Sequence, residues 1–159
     1  MLGRMYETQN CSAARALELV GERWSLLIIR DALFAGHSRF GDFQRSLGVA
    51  PNILTARLDS FVAAGLMERR RYSEHPEHYE YKLTAKGRDL APVIVALTAW
   101  GDQYAAPNGP PIIYEHATCG NEIYQETRCA TCDVQVPNAD ITVRIGPGMA
   151  PETEDAVAR

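Results

Sequence analysis

The chain has 159 residues, a length that fits one domain of ordinary size with a small annex. Hydrophobic residues make up 46% of it and charged residues 23%, which excludes wholesale disorder, collagen and fibrous coiled coil. The formal net charge is -4, and taken alone that balance weighs against a nucleic-acid partner. Four cysteines are too few for a disulfide-dense secreted scaffold but enough for one metal site.

The first ten residues are largely polar and hold no apolar run, so they do not resemble a secretory signal. No apolar stretch approaches the roughly 18 to 20 residues that span a bilayer. We therefore expect a cytoplasmic protein with no membrane partner. In that compartment cysteines stay reduced, which favours metal or redox chemistry for a cluster of them.

Charge is divided unevenly along the chain. Residues 1–106 hold 13 basic and 12 acidic side chains, whereas residues 107–159 hold 3 and 8. The segment 107–111, Pro-Asn-Gly-Pro-Pro, has the composition of a turn or linker. We therefore predict a first domain over 1–106, a small module over 107–148 and a flexible tail over 149–159.

Apolar periodicity predicts helices throughout the first half of the first domain. They span about residues 12–20, 22–34, 39–47 and 51–64, and a glycine follows each of them. Pro51 is well placed as the first residue of the fourth helix, where its missing N–H costs nothing.

After the fourth helix, the period of the apolar residues changes from 3.6 to 2. Segments 67–72 and 79–83 are predicted strands of a β-hairpin with a polar tip between them. Thr84 can cap a last long helix that reaches Tyr104, and Pro92 is expected to bend it. The fold class is therefore α+β: a mainly helical winged helix-turn-helix domain, followed by a small β-rich module.

A winged helix-turn-helix suits DNA because an α-helix fits the major groove and presents its N-terminal residues to base edges. In the fourth helix Asn52, Thr55 and Arg57 are predicted to face outward near the start. Asparagine can pair with adenine, and arginine with guanine or a phosphate. These residues are therefore candidates for base or backbone contact.

Arginines concentrate around this predicted face. Between residues 39 and 71 there are six arginines and three acids, so the local charge is positive although the total is negative. Counterion release from DNA depends on that local charge. Arg39, Arg69 and Arg71 are the further candidates for DNA contact, although a run such as 69–71 can equally be a solvated strand edge.

Four segments resemble the HxlR-type regulators, a branch of bacterial winged-helix transcription factors close to the MarR group. They are CSAARALELVGERW at 11–24, RFGDF at 39–43, AGLMER at 64–69 and YEYKLTAKG at 79–87. The resemblance runs from about Cys11 to Tyr104 and implies a homodimer assembled through the first and last helices. It further implies a transcriptional regulator, expected to be a repressor, bound to a palindromic operator with half-sites roughly 34 Å apart.

The chain departs from the family pattern at two positions. Ala50 stands where a serine usually caps the recognition helix. The loss of that cap lowers helix stability by about 1 kcal/mol. His78 stands where an arginine usually ends the wing tip. Together with Glu74, His75 and Glu77 it makes the tip neutral or acidic at pH 7. Because the ordinary pKa of histidine is about 6.5, we expect the contact of the wing with DNA to be weaker or pH-dependent.

Cys11 stands apart from the other cysteines, at the start of the first helix. The resemblance implies that a cysteine there can sense electrophiles or oxidants, and a helix N-terminus favours the thiolate. The alternative is a small apolar residue buried in a dimer interface, since free cysteine is among the most buried residues.

The remaining cysteines follow the pattern of two metal-binding knuckles. His116 and Cys119 are separated by two residues, as are Cys129 and Cys132. Four such ligands can hold Zn²⁺ tetrahedrally in a zinc-ribbon-like module, leaving no open position for catalysis. The site is therefore expected to be structural. The alternatives are a hairpin folded without metal, or thiols packed in a small core.

Three functions each fit part of this sequence. A DNA-binding regulator that responds to a small ligand or an oxidant accounts for the most features. The second is a zinc-dependent enzyme. The sequence shows no paired carboxylates, nucleophile elbow or phosphate loop, so we expect no enzymatic activity. The third is a metal-sensing or protein-interaction module whose winged domain serves mainly for dimerisation.

Overall fold

The computed structural model describes residue 6 and residues 9–149. The chain divides into two compact units, residues 1–125 and 126–159. The helices and strands all belong to the first unit, and a single 3₁₀ turn at Asn138–Asp140 belongs to the second. In chain order they are α1 (Ser12–Val20), α2 (Ser25–Phe34), α3 (Phe40–Leu47), α4 (Pro51–Ala63), β1 (Met67–Glu74), β2 (Glu77–Leu83), α5 (Ala85–Arg88) and α6 (Ala91–Ala105).

The predicted helices in the first half are confirmed with one shifted boundary. α2 begins at Ser25 and not at residue 22, because Trp24 adopts a left-handed backbone conformation with φ of 77°. Such a residue cannot continue a right-handed helix. α3 ends at Gly48 with φ of 61°, and Gly65 with φ of 68° follows α4, as glycine permits.

The wing is an antiparallel hairpin longer than the sequence predicts. β1 pairs with β2 from Met67 opposite Leu83 to Glu74 opposite Glu77, with an irregularity between Arg71 and Ser73. Only residues 75 and 76 remain unpaired at the tip. The side chains around them are exposed, so no packing interrupts the backbone pairing of the two strands.

One apolar core holds the winged domain together. Leu54, Leu58 and Phe61 on α4 are fully buried, and Phe43 on α3 packs in the same cluster with Ile28 and Ile29 of α2. These α4 residues recur with helical spacing, so their burial fixes which face of α4 turns outward.

The last helical region differs from the prediction. Thr84 caps α5, accepting a hydrogen bond from the N–H of Gly87, but α5 ends after one turn. A separate helix, α6, then begins at Ala91 with Pro92 in its first turn. The predicted bend at Pro92 is wrong, because proline opens a new helix more readily than it interrupts one.

The C-terminal segment is less regular than a β-rich module. Within residues 107–149 backbone pairing is limited to two isolated bridges, Glu115 with Glu122 and Arg128 with Gln135. Residues 141–145 form no strand in the described structure, and Val143 there is 97% exposed. The predicted tail, 149–159, lies outside the described residues except for Met149. No helix within the described part is long and apolar enough to cross a membrane.

Candidate nucleic-acid interface and candidate metal-binding hairpins

The first turns of α4 present a polar and apolar surface to solvent. Asn52, Ile53 and Thr55 are exposed, whereas Leu54 between them is buried. The Thr55 hydroxyl donates to the carbonyl of Pro51 at 2.9 Å, which holds that side chain against the helix. Ala50 occupies the N-cap without a side-chain hydrogen bond, so backbone N–H groups at this helix start are left for a partner.

Arg57 is drawn toward the protein and away from solvent. Its side chain is 14% exposed, and Nη2 lies 3.6 Å from Oε2 of Glu22, in the turn between α1 and α2. Its Nε is buried without a hydrogen-bond partner among the described residues. The structure therefore gives Arg57 an intramolecular ion pair, while its contact with DNA stays a prediction.

On the wing, three side chains form a layered stack. The guanidinium of Arg39 lies 4.4 Å from the ring centre of Tyr72, and the Tyr72 ring stacks on His78 at 5.7 Å. Backbone atoms of Arg39 also form an isolated bridge with Glu80 on β2. Arg39 is thus an element of the wing surface, although it precedes α3 in the chain.

The arginines of β1 differ in how far they are neutralised. Arg69 lies over the Tyr79 ring, with 3.7 Å from its guanidinium carbon to the ring centre. Arg71, in contrast, pairs with Glu77 at 3.1 Å and with Glu74 at 3.3 Å. Arg71 is exposed but held by two carboxylates, whereas no acid among the described residues forms an ion pair with Arg69.

A buried carboxylate joins α2 to α3. Asp31 is 3% exposed and accepts hydrogen bonds from Arg30 and from the hydroxyl of Ser46 at 2.6 Å. Burying a charge is costly unless it is paired and hydrogen-bonded, as it is in this network. The network fixes α3, and so the turn that leads into α4.

Cys11 is the N-cap residue of α1 and is exposed. The backbone amides of Ala14 and Ala13 favour the thiolate and lower the pKa of Cys11 from its ordinary value. The alternative of burial in a dimer interface stays a prediction, because this structure contains one chain. The prediction of a reactive thiol is not tested by this geometry.

α6 carries an apolar stripe that no described residue covers. Val93, Leu97, Trp100 and Tyr104 follow helical spacing and are between 48% and 65% exposed. Leu17 on α1 is also 48% exposed. Single exposed apolar residues are common, but a row of four on one helix marks a contact surface.

A second face of α6 forms one wall of a cavity of about 360 Å³. The opposite wall comes from residues 110–124, and Tyr114 anchors it by packing on Phe34, with ring centres 4.7 Å apart. Ile112, Ile113 and Ile123 supply apolar lining, and Asp102 and Glu122 supply carboxylates.

The first predicted knuckle is a tight hairpin in the first unit. The N–H of His116 donates to the carbonyl of Asn121 at 2.7 Å, and the N–H of Gly120 donates to the carbonyl of His116 at 2.8 Å. Gly120 has φ of 69°. His116 Nδ1 and Cys119 Sγ lie 3.2 Å apart, and the amide of Asn121 donates to the same sulfur.

The second knuckle is a tight hairpin in the second unit. The N–H of Cys129 donates to the carbonyl of Val134 at 3.0 Å, and the N–H of Asp133 donates to the carbonyl of Cys129 at 2.9 Å. The N–H of Cys132 points at Cys129 Sγ, 3.5 Å away. Backbone amides of Cys132 and Thr131 lower the pKa of Cys129 from its ordinary value.

The predicted ligands are thus seen as two local pairs. Across the described residues, no three or more His, Cys, Asp or Glu side chains are grouped so as to hold a metal ion. Cys119 and Cys132 are exposed and Cys129 is half-buried, so the alternative of thiols packed in a core is wrong.

A recognition helix anchored by its buried face, a preceding helix and a two-stranded wing define a winged helix-turn-helix DNA-binding protein. A model of the HxlR-like helix-turn-helix family matches residues 19–109. The chain belongs to this family and is a transcriptional regulator.

Individual relatives match over nearly their whole length. The uncharacterized HTH-type transcriptional regulator Rv3095 of Mycobacterium tuberculosis (strain ATCC 25618 / H37Rv) is 47% identical over 86% of this chain and 87% of its own. The crystal structure of PA1607 has a TM-score of 0.78 and 38% identity, covering 87% of this chain and 97% of that one. The structure of PA1374 from Pseudomonas aeruginosa has a TM-score of 0.64 and 44% identity, and the match covers 89% of this chain and 97% of that one.

Two features of the candidate interface escape the sequence pattern. Ile53 is apolar yet 38% exposed at the start of α4. Tyr72 organises the wing through partners at positions 39 and 78. The alternation of β1 could have indicated that Tyr72 faces away from the core, but its two partners depend on the fold.

Proposed function

We propose that this regulator is a homodimeric repressor that inserts α4 into the major groove of a palindromic operator. The observation that supports this most directly is the exposed start of α4. Asn52 offers an amide that can pair with adenine, and Ile53 offers an apolar surface that can contact a thymine methyl group.

The wing supplies the phosphate contacts in this proposal. Arg39 and Arg69 are exposed, and each lies over a tyrosine ring that restricts its guanidinium without neutralising it. Such prearranged arginines lose less conformational entropy on binding than unrestrained ones. Arg71 contributes less, because two carboxylates already hold it.

Dimerisation supplies the two-fold symmetry that a palindrome requires. The apolar stripe of α6 and the exposed Leu17 of α1 are the surfaces we propose to pair with those of a second copy. Four apolar side chains about half exposed represent a sizeable unfavourable contact with water, and a second copy would remove it.

We further propose that the cavity beside α6 takes a small-molecule effector. Its apolar lining and the carboxylates of Asp102 and Glu122 suit an amphipathic ligand with a cationic group. A thermal-shift screen of such compounds should find one whose effect is lost in Asp102→Asn, and a screen in which no cationic compound shifts the melting temperature would refute this part.

The main experiment is selection of bound genomic fragments by the purified full chain, followed by footprinting. We expect a two-fold symmetric site with half-sites about 34 Å apart. Asn52→Ala should weaken specific binding by about 1–3 kcal/mol while leaving binding to arbitrary duplex DNA unchanged. Ser60→Ala, a change on the exposed face of the same helix, serves as the matched control.

Two outcomes would oppose the proposal. If no sequence is enriched, or if Asn52→Ala and Arg69→Ala leave operator binding intact, the winged domain serves mainly for dimerisation. Repression itself is measured by transcription in vitro from the selected promoter, and a rise in transcript on addition of the protein would indicate an activator.

A further inference from the structure

A second cavity of about 360 Å³ lies where the base of the wing meets α2 and α5. Its lining comes from α2, both strands of the wing and α5, all of which belong to the first unit. It shares no lining residue with the cavity beside α6, and the exposed start of α4 takes no part in it. Its volume falls within the range of small-molecule sites in proteins, about 300–1,000 Å³.

The apolar part of this lining is held by the core of the winged domain. Ala32 and Leu33 on α2 and Leu83 on β2 are partly buried and pack against the buried cluster. Close packing of that kind keeps such side chains in place when no ligand is bound. A small apolar body can therefore cover them without a rearrangement of the domain.

The rest of the lining is charged and mainly cationic. It contains the basic side chains of Arg70, Lys82 and Arg88 and one carboxylate, that of Glu68. Glu68 pairs with Arg70, so these two charges compensate each other. Lys82 lies 3.1 Å from Glu80, which is outside the lining. One positive charge, that of Arg88, remains when both pairs are counted.

Arg88 is held in position while it keeps its charge. Its Nη1 donates to the backbone carbonyl of Leu83 at 2.6 Å, and among the described residues no carboxylate forms an ion pair with it. A neutral carbonyl uses only part of the N–H donors of a guanidinium and leaves the others for an anion. Because the side chain is already restrained, it loses less conformational entropy when an anion binds.

We propose that this second cavity binds a small organic anion, a carboxylate attached to one aromatic ring. The carboxylate pairs with Arg88, with Lys82 beside it, and the ring covers Ala32 and Leu33. The cavity beside α6 has the opposite preference, because carboxylates line it. An anion bound at the wing base contacts α2 and both strands at once. Its binding requires no DNA, so a failure here would leave the proposed operator recognition untouched.

The test titrates phenylacetate into the isotopically labelled full chain without DNA, followed by nuclear magnetic resonance. Two analogues with the same ring serve as ligand controls, neutral phenylacetamide and cationic phenethylamine. We expect saturable binding of phenylacetate, with shifts concentrated in residues 32–33, 68–70 and 82–88. Phenylacetamide should bind more weakly by about tenfold or more, because it cannot form the charged contact, and phenethylamine should not compete.

Substitutions test the role of the cations. Arg88→Gln should weaken binding of phenylacetate by about tenfold or more, and Arg88→Lys, which keeps the charge, should recover part of the affinity. Lys82→Gln, on a different element, should also weaken binding, and it keeps the test valid if Arg88→Gln does not fold. Arg15→Gln is the matched control, because Arg15 is an exposed arginine on α1 and outside the cavity. Circular dichroism verifies the fold of each variant.

Four results would overturn the proposal. Shifts confined to residues 95–124 would assign phenylacetate to the cavity beside α6. Equal binding of phenylacetamide would show that the cations do not select the ligand, as would unchanged affinity in folded Arg88→Gln and Lys82→Gln. An equal loss in Arg15→Gln would show an effect of net charge alone. Absence of saturable binding up to the solubility limit of phenylacetate would show that this cavity takes no anion of this class.

Discussion

Removing the two carboxylates that hold Arg71 should strengthen binding to DNA. In Glu74→Gln/Glu77→Gln the side chains keep their size, but the ion pairs of 3.1 and 3.3 Å lose their charge. Exposed pairs of this kind are worth only about 0.2–1 kcal/mol each, so fold stability should change little. Arg71 then becomes available to a phosphate.

The magnitude follows from charge and counterion release. Residues 67–83 hold four basic and four acidic side chains, so the wing is neutral before substitution and carries +2 after it. Each additional phosphate contact steepens the salt dependence of binding by about 0.9 in log–log slope, equivalent to about a fivefold gain near 0.15 M salt. Two wings of a dimer would give a slope change of about 1.8 and a gain of about 25-fold.

The assay is fluorescence anisotropy with a short duplex of arbitrary sequence, titrated at several salt concentrations. Glu18→Gln is the matched control, because it removes an acid paired with Arg15 on α1 and not on the wing. An unchanged slope in the double variant with intact circular dichroism would refute the reasoning. An equal change in Glu18→Gln would show that net charge alone is responsible.

The remaining predictions concern stability, assembly and thiol reactivity. Gly87→Ala should lower stability by about 1–3 kcal/mol in thermal unfolding, because its Cβ would overlap the carbonyl oxygen of Leu66. The helix-interior control Gly101→Ala meets nothing within 4 Å and should be neutral or stabilising. If the chain is the proposed dimer, Leu97→Glu should convert it to monomer in sedimentation velocity, since it places a charge in the apolar stripe, and a variant that stays dimeric would exclude α6 from the interface. The lowered pKa of Cys11 increases the thiolate fraction at neutral pH, so alkylation by iodoacetamide should have a pH midpoint below that of an ordinary thiol; a midpoint at or above the ordinary value would contradict the role of the α1 amides.

The winged domain could be predicted from sequence because local signals and the global fold agree there. Pro51 opens α4, Gly65 follows its end, and the apolar residues between them recur at the spacing that their burial confirms. The exposure of Asn52 and Thr55 follows from the same pattern, so half of the candidate interface could be predicted with no coordinates.

The other half depends on contacts between residues distant in sequence. Periodicity predicts that Arg57 is exposed to solvent. Its side chain is instead largely buried beside Glu22, thirty-five positions earlier in the chain. Arg39 joins the wing because a ring at position 72 lies beside it. At Pro92 two local rules competed, since proline can either bend a helix or begin one, and the single-turn α5 decided the outcome.

The ion pair between Glu22 and Arg57 has a mechanical consequence. It attaches the middle of the recognition helix to the turn that follows α1, and α1 belongs to the proposed dimer contact. In the proposed dimer, this pair is therefore one contact through which a rotation of one protomer against the other would reach α4. Glu22→Gln would remove the charge of this pair and leave the exposed Asn52 and Thr55 of α4 unchanged, so a shift in the preferred half-site spacing of that variant would reveal coupling between the dimer contact and α4.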